Sequence, residues 1–439
     1  MILWLVALPL LMALVTLLLR KTPLIATPLA AATLVVMAIL AMRPQQAEPL
    51  LILGRSLELP PLEGLLLAFC CILLALVMLY AYRIPQRPLA YPLTLGSVGF
   101  FAGALMIDNL TIATLLLVSG AVLTAMLIPS ARKGSARAGM SVVIAVVLAT
   151  ACLLLAALVA ETEAADLDSG WLLMGSTALA IGTAGALGLF PFVWLPGVAR
   201  RGNSLAMLMV TVVFSAAVLL YLRDMLQGFA WPGEADLFPV LLLGSGLLTS
   251  LVGGLGAIVQ RSARGFFAYA ALADLGMMVV ALVVGPVEGP GAGMLYVVYR
   301  AVAIVLVAMS VGILRFHLEG DDIEHLRGAF RCVPLAVIGL AIGGLSLIGL
   351  PPTVGFLSRL AVYRVVASEH LGWAIALMVC TIGPAWALGR CLFAALQARV
   401  PPHRRRGSRV PELLTVPLSL ALLALGLFPS LLTLLPEWT

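Results

Sequence analysis

Apolar stretches of about 20 residues recur along almost the whole chain, separated by short turns rich in arginine, glycine and proline. An apolar helix needs roughly 20 residues to cross the hydrocarbon of a bilayer, and a backbone lying there must satisfy its N–H and C=O groups internally. The runs fall at 3–19, 23–42, 62–82, 90–107, 109–129, 138–160, 171–190, 204–222, 237–258, 265–284, 291–314, 331–367, 371–397 and 411–435. They predict an all-α polytopic membrane protein with about fourteen transmembrane helices. Only 10% of side chains are charged and 62% are hydrophobic, against about 25% charged in soluble domains. No segment is polar enough to fold as a separate water-soluble domain. Arg20-Lys21 follows the first run instead of preceding it, and no small-residue cleavage site ends it, so the run reads as a retained span.

The placement of charge sets an orientation. Lys and Arg crowd into alternate turns: Arg20 and Lys21, Arg83 and Arg87, Arg132 to Arg137, Arg200 and Arg201, Arg261 and Arg264, Arg315 to Arg331, and Arg399 to Arg409. The other turns hold only Arg43, Arg55 and Arg223, and carry Glu161, Glu163, Asp166, Asp168, Glu234, Asp236, Glu288 and Glu369. Positive residues stay on the cytoplasmic side, so both termini are expected on the non-cytoplasmic side of the membrane. The Glu319–Glu324 segment is an acidic exception, read as a solvated turn or a docking patch for a partner subunit. The net charge of +6 then reflects orientation and contact with anionic lipid heads, notably at Arg404–Arg406, and no nucleic-acid partner is implied.

Catalysis of a soluble type has no support. There is no glycine-rich phosphate loop, no paired carboxylate site and no nucleophile with a histidine base. The six cysteines include Cys70-Cys71 but no CxxC or Cys/His cluster, and the four histidines sit in or near turns. No metal or cofactor site is expected on this chain.

Two runs are interrupted. Pro191 and Pro196 enter span seven in GALGLFPFVWLPGVARRG, and Pro351 and Pro352 enter span twelve in LSLIGLPPTVGFLSRL. Proline removes an N–H and opens the helical ladder, which hydrocarbon tolerates only where protein or a water-filled cavity satisfies the freed groups. If spans four to eight and nine to thirteen pair, both breaks fall at the fourth position of a five-span unit. An odd unit length inverts the second copy, the pattern of transporters with discontinuous helices around an ion path. The expected organisation is three N-terminal spans at 1–82, repeats at 90–222 and 237–397, and a final span at 411–435.

Charge inside the spans is scarce and costs about 2.5–3.5 kcal/mol per residue on insertion scales unless paired or hydrated. Asp274, in AYAALADLGMMVVAL, has three readings: a protonatable relay, a partner for a buried arginine, or a polar packing contact. Arg300, nine residues into span eleven, keeps its proton and suits holding a carboxylate or organising water. Asp274 with Arg300 is a testable pairing. Arg359 and Arg390 line a polar strip or snorkel to an interface, and Arg364 reads as interfacial. Asp108 reads as a turn residue beside Asn109, which suits capping the next helix. Tyr269, Tyr296 and Tyr299 read as channel donors or packing residues.

LFPFVWLPGVARRG, GAIVQRSARGFFAYAALADLGMMVVAL and LSLIGLPPTVGFLSRLAVY occur in that order. Together they resemble conserved segments of the proton-conducting antiporter-like family, which includes the large membrane subunits of respiratory complex I and of multisubunit sodium/proton antiporters. Within it the chain is most similar to subunit N. The resemblance implies a subunit that binds no cofactor and works beside other membrane subunits. NADH or another donor and quinone would react elsewhere in the complex, and protons would be the transported ion.

The family's pattern of buried side chains is not kept. The family's buried glutamate of span five falls near Val118, and its lysines of spans seven and eight near Ala186 and Phe214. The motif histidine of span ten becomes Asp274, and motif lysines become Arg264 and Arg359. Lys21 and Lys133, the chain's only lysines, lie in turns, so a lysine relay inside the membrane is ruled out. Either Asp274 and water carry protons among fixed arginines, or the chain is a scaffold. A cation/proton antiporter subunit is the competing assembly.

Overall fold

The computed structural model describes residues 2–43, 50–52, 55–84, 87–128, 135–162, 169–229, 237–284, 290–398 and 410–428. Glu163, Asp166, Asp168, Glu234, Asp236, Glu288, Arg132, Lys133, Arg404–Arg406 and the end of the last predicted span lie outside them. The helices are α1 (Ile2–Leu18), α2 (Pro23–Ala41), α3 (Pro61–Arg83), α4 (Ala90–Met106), α5 (Leu110–Ala125), α6 (Ser135–Glu161), α7 (Ser169–Leu187), α8 (Leu195–Arg201) and α9 (Ser204–Gly228). They continue as α10 (Leu237–Ile258), α11 (Ala263–Val284), α12 (Pro290–Leu318), α13 (Pro334–Ile348), α14 (Val354–Glu369), α15 (Leu371–Leu396) and α16 (Val410–Leu427). Among the described residues, ten helices are long and apolar enough to cross a membrane, and Leu3–Leu18, Ala90–Met106, Leu110–Ala125 and Pro334–Ile348 are shorter apolar helices. The chain is therefore an integral, polytopic, helical membrane protein. Its departure from an all-α chain, among the described residues, is a two-stranded antiparallel hairpin, β1 (Leu50–Ile52) and β2 (Arg55–Leu57). Glu58 N continues it by donating to Met106 O at the end of α4 (2.9 Å).

The chain divides into two compact units. One comprises Met1–Tyr82, Gln86–Trp194 and Arg201–Gly244. In it α1 packs along α4, α4 along α5 and α6 along α7. Asn109 caps α5 by accepting from Ile112 N (2.9 Å), as its position before the run predicts. Midway through α9, Met209–Phe214 winds as a π-helix. Phe214 there stacks on Phe101 (centroids 5.9 Å). Gly120 is required beside that pair, because a Cβ there would stand 2.6 Å from Phe101 Cε1.

The other unit comprises Arg83–Pro85, Leu195–Arg200 and Ser245–Thr439. Here α12 packs along α13, and α11, α13 and α14 meet one another. Span twelve is broken as predicted: α13 ends at Gly349, in the left-handed region at φ +77°, and α14 starts five residues on. Glycine suits that backbone and nothing larger fits, since a Cβ would collide with Arg359 Cδ.

Candidate functional site

Asp274 lies halfway along α11 and both of its carboxylate oxygens accept hydrogen bonds. Tyr296 Oη donates to Oδ1 (2.6 Å), Arg300 Nε to Oδ2 (2.6 Å) and Arg359 Nη2 to Oδ1 (3.1 Å). Tyr296 and Arg300 are four residues apart on α12, so they project from one helix face and grip both oxygens. Arg359 comes from the second half of the broken span. Its Nη2 also donates to Leu347 O (2.7 Å), one of the carbonyls left open where α13 ends.

Asp274, Arg300 and Arg359 are 3%, 6% and 4% exposed. Three separate charges so buried would each cost several kcal/mol. Joined, each guanidinium gains a charge-assisted bond and the carboxylate loses none of its acceptor capacity. The Asp274–Arg300 pairing raised by the sequence is thus formed, with a second arginine added. Ser346, Leu347, Gly355, Ser358 and Tyr299 complete the wall of a small cavity beside the cluster.

The other residues singled out in the sequence stand elsewhere. Arg264 does not join Asp274: its Nε pairs with Asp321 Oδ2 (2.8 Å) at the start of α11. Backbone bonds Ala263 N to Asp321 O (2.8 Å) and Ile323 N to Arg261 O (2.9 Å) lock the same turn. The acidic segment is therefore a clasp within this chain at Asp321, not wholly a solvated turn or docking patch, because a basic helix start lies against it. Arg390 donates to the carbonyls of Ile258 (2.6 Å) and Gln260, closing the C-terminal end of α10. Arg364 is exposed. Pro351 and Pro352 occupy the gap between α13 and α14, and Pro191 the residues after α7. Pro196 instead sits in the first turn of α8, where no intrahelical acceptor awaits its missing N–H.

Two pairings escaped the sequence reading. Glu63, 2% exposed at the start of α3, accepts from Arg223 Nη2 (2.6 Å), which also reaches Asp224 (2.8 Å). Thr114 and Tyr221 share a buried hydroxyl–hydroxyl bond of 2.8 Å. Glu63 and Arg223 lie at the ends of apolar runs 160 positions apart, so only the fold brings them together. Among the described residues, no three His, Cys, Asp or Glu side chains gather as a metal site.

The transmembrane family described as "NADH:quinone oxidoreductase/Mrp antiporter" matches residues 108–383, more than half of the chain. The chain belongs to this family. NADH-quinone oxidoreductase subunit N of Halorhodospira halophila is 29% identical over 284 residues, 62% of this chain and 58% of that protein. The chain spans about half the length of the curated relatives it matches. Among solved structures, a chain of the membrane-bound sulfane sulfur reductase, an archaeal respiratory membrane complex, superposes with a TM-score of 0.87 at 20% identity. It covers all of this chain and 95% of that one. A chain of the Mrp complex from Dietzia sp. gives 0.83 at 17% identity, covering 97% and 94%. At such identities the likeness is one of fold.

Proposed function

We propose that the chain is the antiporter-like, subunit N-type membrane component of a complex I-type NADH–quinone oxidoreductase in a bacterial inner membrane. It couples quinone reduction, performed by other subunits, to proton translocation and carries no redox centre itself. Fourteen crossings are part of the proposal, which counts the four shorter apolar helices among the described residues with the ten long ones. The proposed topology has inverted repeats at 90–222 and 237–397 and both termini on the non-cytoplasmic side.

The observation that carries this reading is the Asp274–Arg300–Arg359 cluster at a broken helix. Arginine does not release its proton under these conditions, so Arg300 and Arg359 serve as fixed charges and Asp274 is the titratable member. A proton arriving on Asp274 would weaken its hold on Arg359, which keeps the Leu347 carbonyl as a second anchor. Charge at the break would then respond to protonation without a lysine. In a reconstituted complex, Asp274→Asn should abolish or sharply reduce proton pumping while subunits stay assembled. Unchanged pumping with intact assembly would remove the proton-carrying role.

A cation/proton antiporter assembly is the second reading, favoured by the fold likeness to a chain of the Mrp complex. Copurifying subunits separate the two: redox subunits support the first, and antiporter subunits alone support the second.

A further inference from the structure

Glu63, in the first turn of α3, is a buried carboxylate with one of its two oxygens satisfied. Oε1 accepts from Arg223 Nη2 (2.6 Å), whereas Oε2 is buried and, among the described residues, has no hydrogen-bond partner. Arg223 does not serve Glu63 alone. Its Nη2 and Nε also donate to Asp224 Oδ1 (2.8 and 3.1 Å), so one guanidinium faces two carboxylates, a formal sum of −1. Among the described residues, Arg223 and Asp224, both on α9, are the charged groups that act on Glu63. Side-chain exposure rises in steps from 2% at Glu63 through 18% at Arg223 to 39% at Asp224. The buried acid therefore adjoins a charged pair that meets the surface.

We propose that Glu63 is a proton-binding carboxylate: one proton taken up on Oε2 makes it a neutral acid, and Arg223, keeping its own proton, settles on Asp224. A buried carboxylate oxygen that accepts nothing is costly, and the excess negative charge adds to that cost. A proton on Oε2 removes the charge, and a neutral hydroxyl is the less costly group to bury. Arg223 and the start of α3, where open N–H groups favour an anion, act in the opposite sense. A group set between such opposed effects exchanges its proton instead of holding one form. Arg223 is not stranded by the exchange, because Asp224 already receives two of its N–H groups. A metal cation fits less well, since the guanidinium stands 2.6 Å from Oε1 and would repel it. Proton binding here rests on the geometry of this chain; exchange with the non-cytoplasmic side rests on the topology proposed above, which puts these ends of α3 and α9 there.

The test is infrared spectroscopy of the detergent-purified full chain, titrated through about pH 6, where solvent-exposed carboxyl groups are ionised. A protonated acid shows a C=O stretch that a carboxylate lacks. The unaltered protein should show such a band, and Glu63→Gln, which keeps an acceptor for Arg223, should lose it. Asp274→Asn should retain it, which separates this site from the pumping role given to Asp274. Asp224→Asn, at the exposed edge, leaves Arg223 to Glu63 alone and should weaken proton binding about tenfold, moving the midpoint of the band down by about one pH unit. If Glu63→Gln does not fold, that shift decides alone. No acid band in the unaltered protein, a band that survives Glu63→Gln, or a midpoint indifferent to Asp224→Asn would each overturn the proposal.

Discussion

Arg359 Nη2 stands 3.1 Å from Asp274 Oδ1 and 2.7 Å from the carbonyl oxygen of Leu347. One guanidinium nitrogen thereby ties α11 to the end of α13 across the break, while the rest of the residue belongs to α14. This side chain adds to the backbone bonds at the break, Leu350 N to Leu345 O (2.9 Å) and Thr353 N to Leu350 O (3.4 Å).

Shortening that tie should weaken the fold. Arg359→Lys keeps the charge but replaces a planar fork by a single ammonium, which cannot reproduce the same geometry. A loss of about 1.5–3 kcal/mol is expected, the worth of a charge-assisted bond, read as a lower Tm in detergent. An unchanged Tm would mean that the fork is not used.

Removing the central anion should cost more. Asp274→Leu leaves two buried guanidinium groups facing apolar atoms, and breaking a buried pair from one side costs about 3–5 kcal/mol. Asp274→Asn, which still accepts from Tyr296 or an arginine, should lose clearly less. Equal losses in the two variants, measured by thermal unfolding, would refute a role for charge in stability.

Gly349→Ala tests the turn that feeds the break. The residue sits at φ +77° and a Cβ would strike Arg359 Cδ. Left-handed backbone in a non-glycine residue costs about 1–3 kcal/mol, so Tm should fall, and Arg359→Ala should relieve part of the loss by removing the clash. A fully additive double variant would show that the collision does not matter.

The clasp between Arg264 and Asp321 should register as coupling. A double-mutant cycle with Arg264→Ala and Asp321→Ala is expected to give an interaction of about 1 kcal/mol, within the range for residues in contact. Additive effects would mark the pair as incidental.

Restoring a lysine to the first unit should fail. Phe214 is 2% exposed and stacks on Phe101, so Phe214→Lys would bury an unpartnered ammonium at about 2.5–3.5 kcal/mol. Less folded protein in membranes is the expected outcome. Normal yield with raised proton leak would instead point to a latent polar path.

The helices were legible because bilayer thickness fixes run length, and the two broken spans because proline leaves a visible mark. Asp274, Arg300 and Arg359 stood out as charges in apolar runs, and scarcity alone nearly paired them. Arg264 is a buried, paired charge as they are, but it stands apart from them. It is ten residues from Asp274, roughly 15 Å along a helix, and its true partner, Asp321, is 57 positions away in a segment that looked solvated. Glu63 and Arg223 were hidden for the same reason, since a charge at the edge of a run looks like a turn residue until tertiary packing buries it. Tyr296 carried no signal that separates a ligand of Asp274 from a packing aromatic.

The π-helical stretch at Met209–Phe214 has a bearing on how this chain is aligned with its relatives. A wide turn accommodates one extra residue without lengthening the span, and each residue turns an α-helix by about 100°. Side chains from Ser215 onward, Tyr221 and Arg223 among them, therefore face a direction about a quarter-turn away from the one an uninterrupted helix would give them. An uninterrupted helix would turn different positions toward α5 and α3, so the Thr114–Tyr221 and Glu63–Arg223 bonds depend on the wide turn that precedes them.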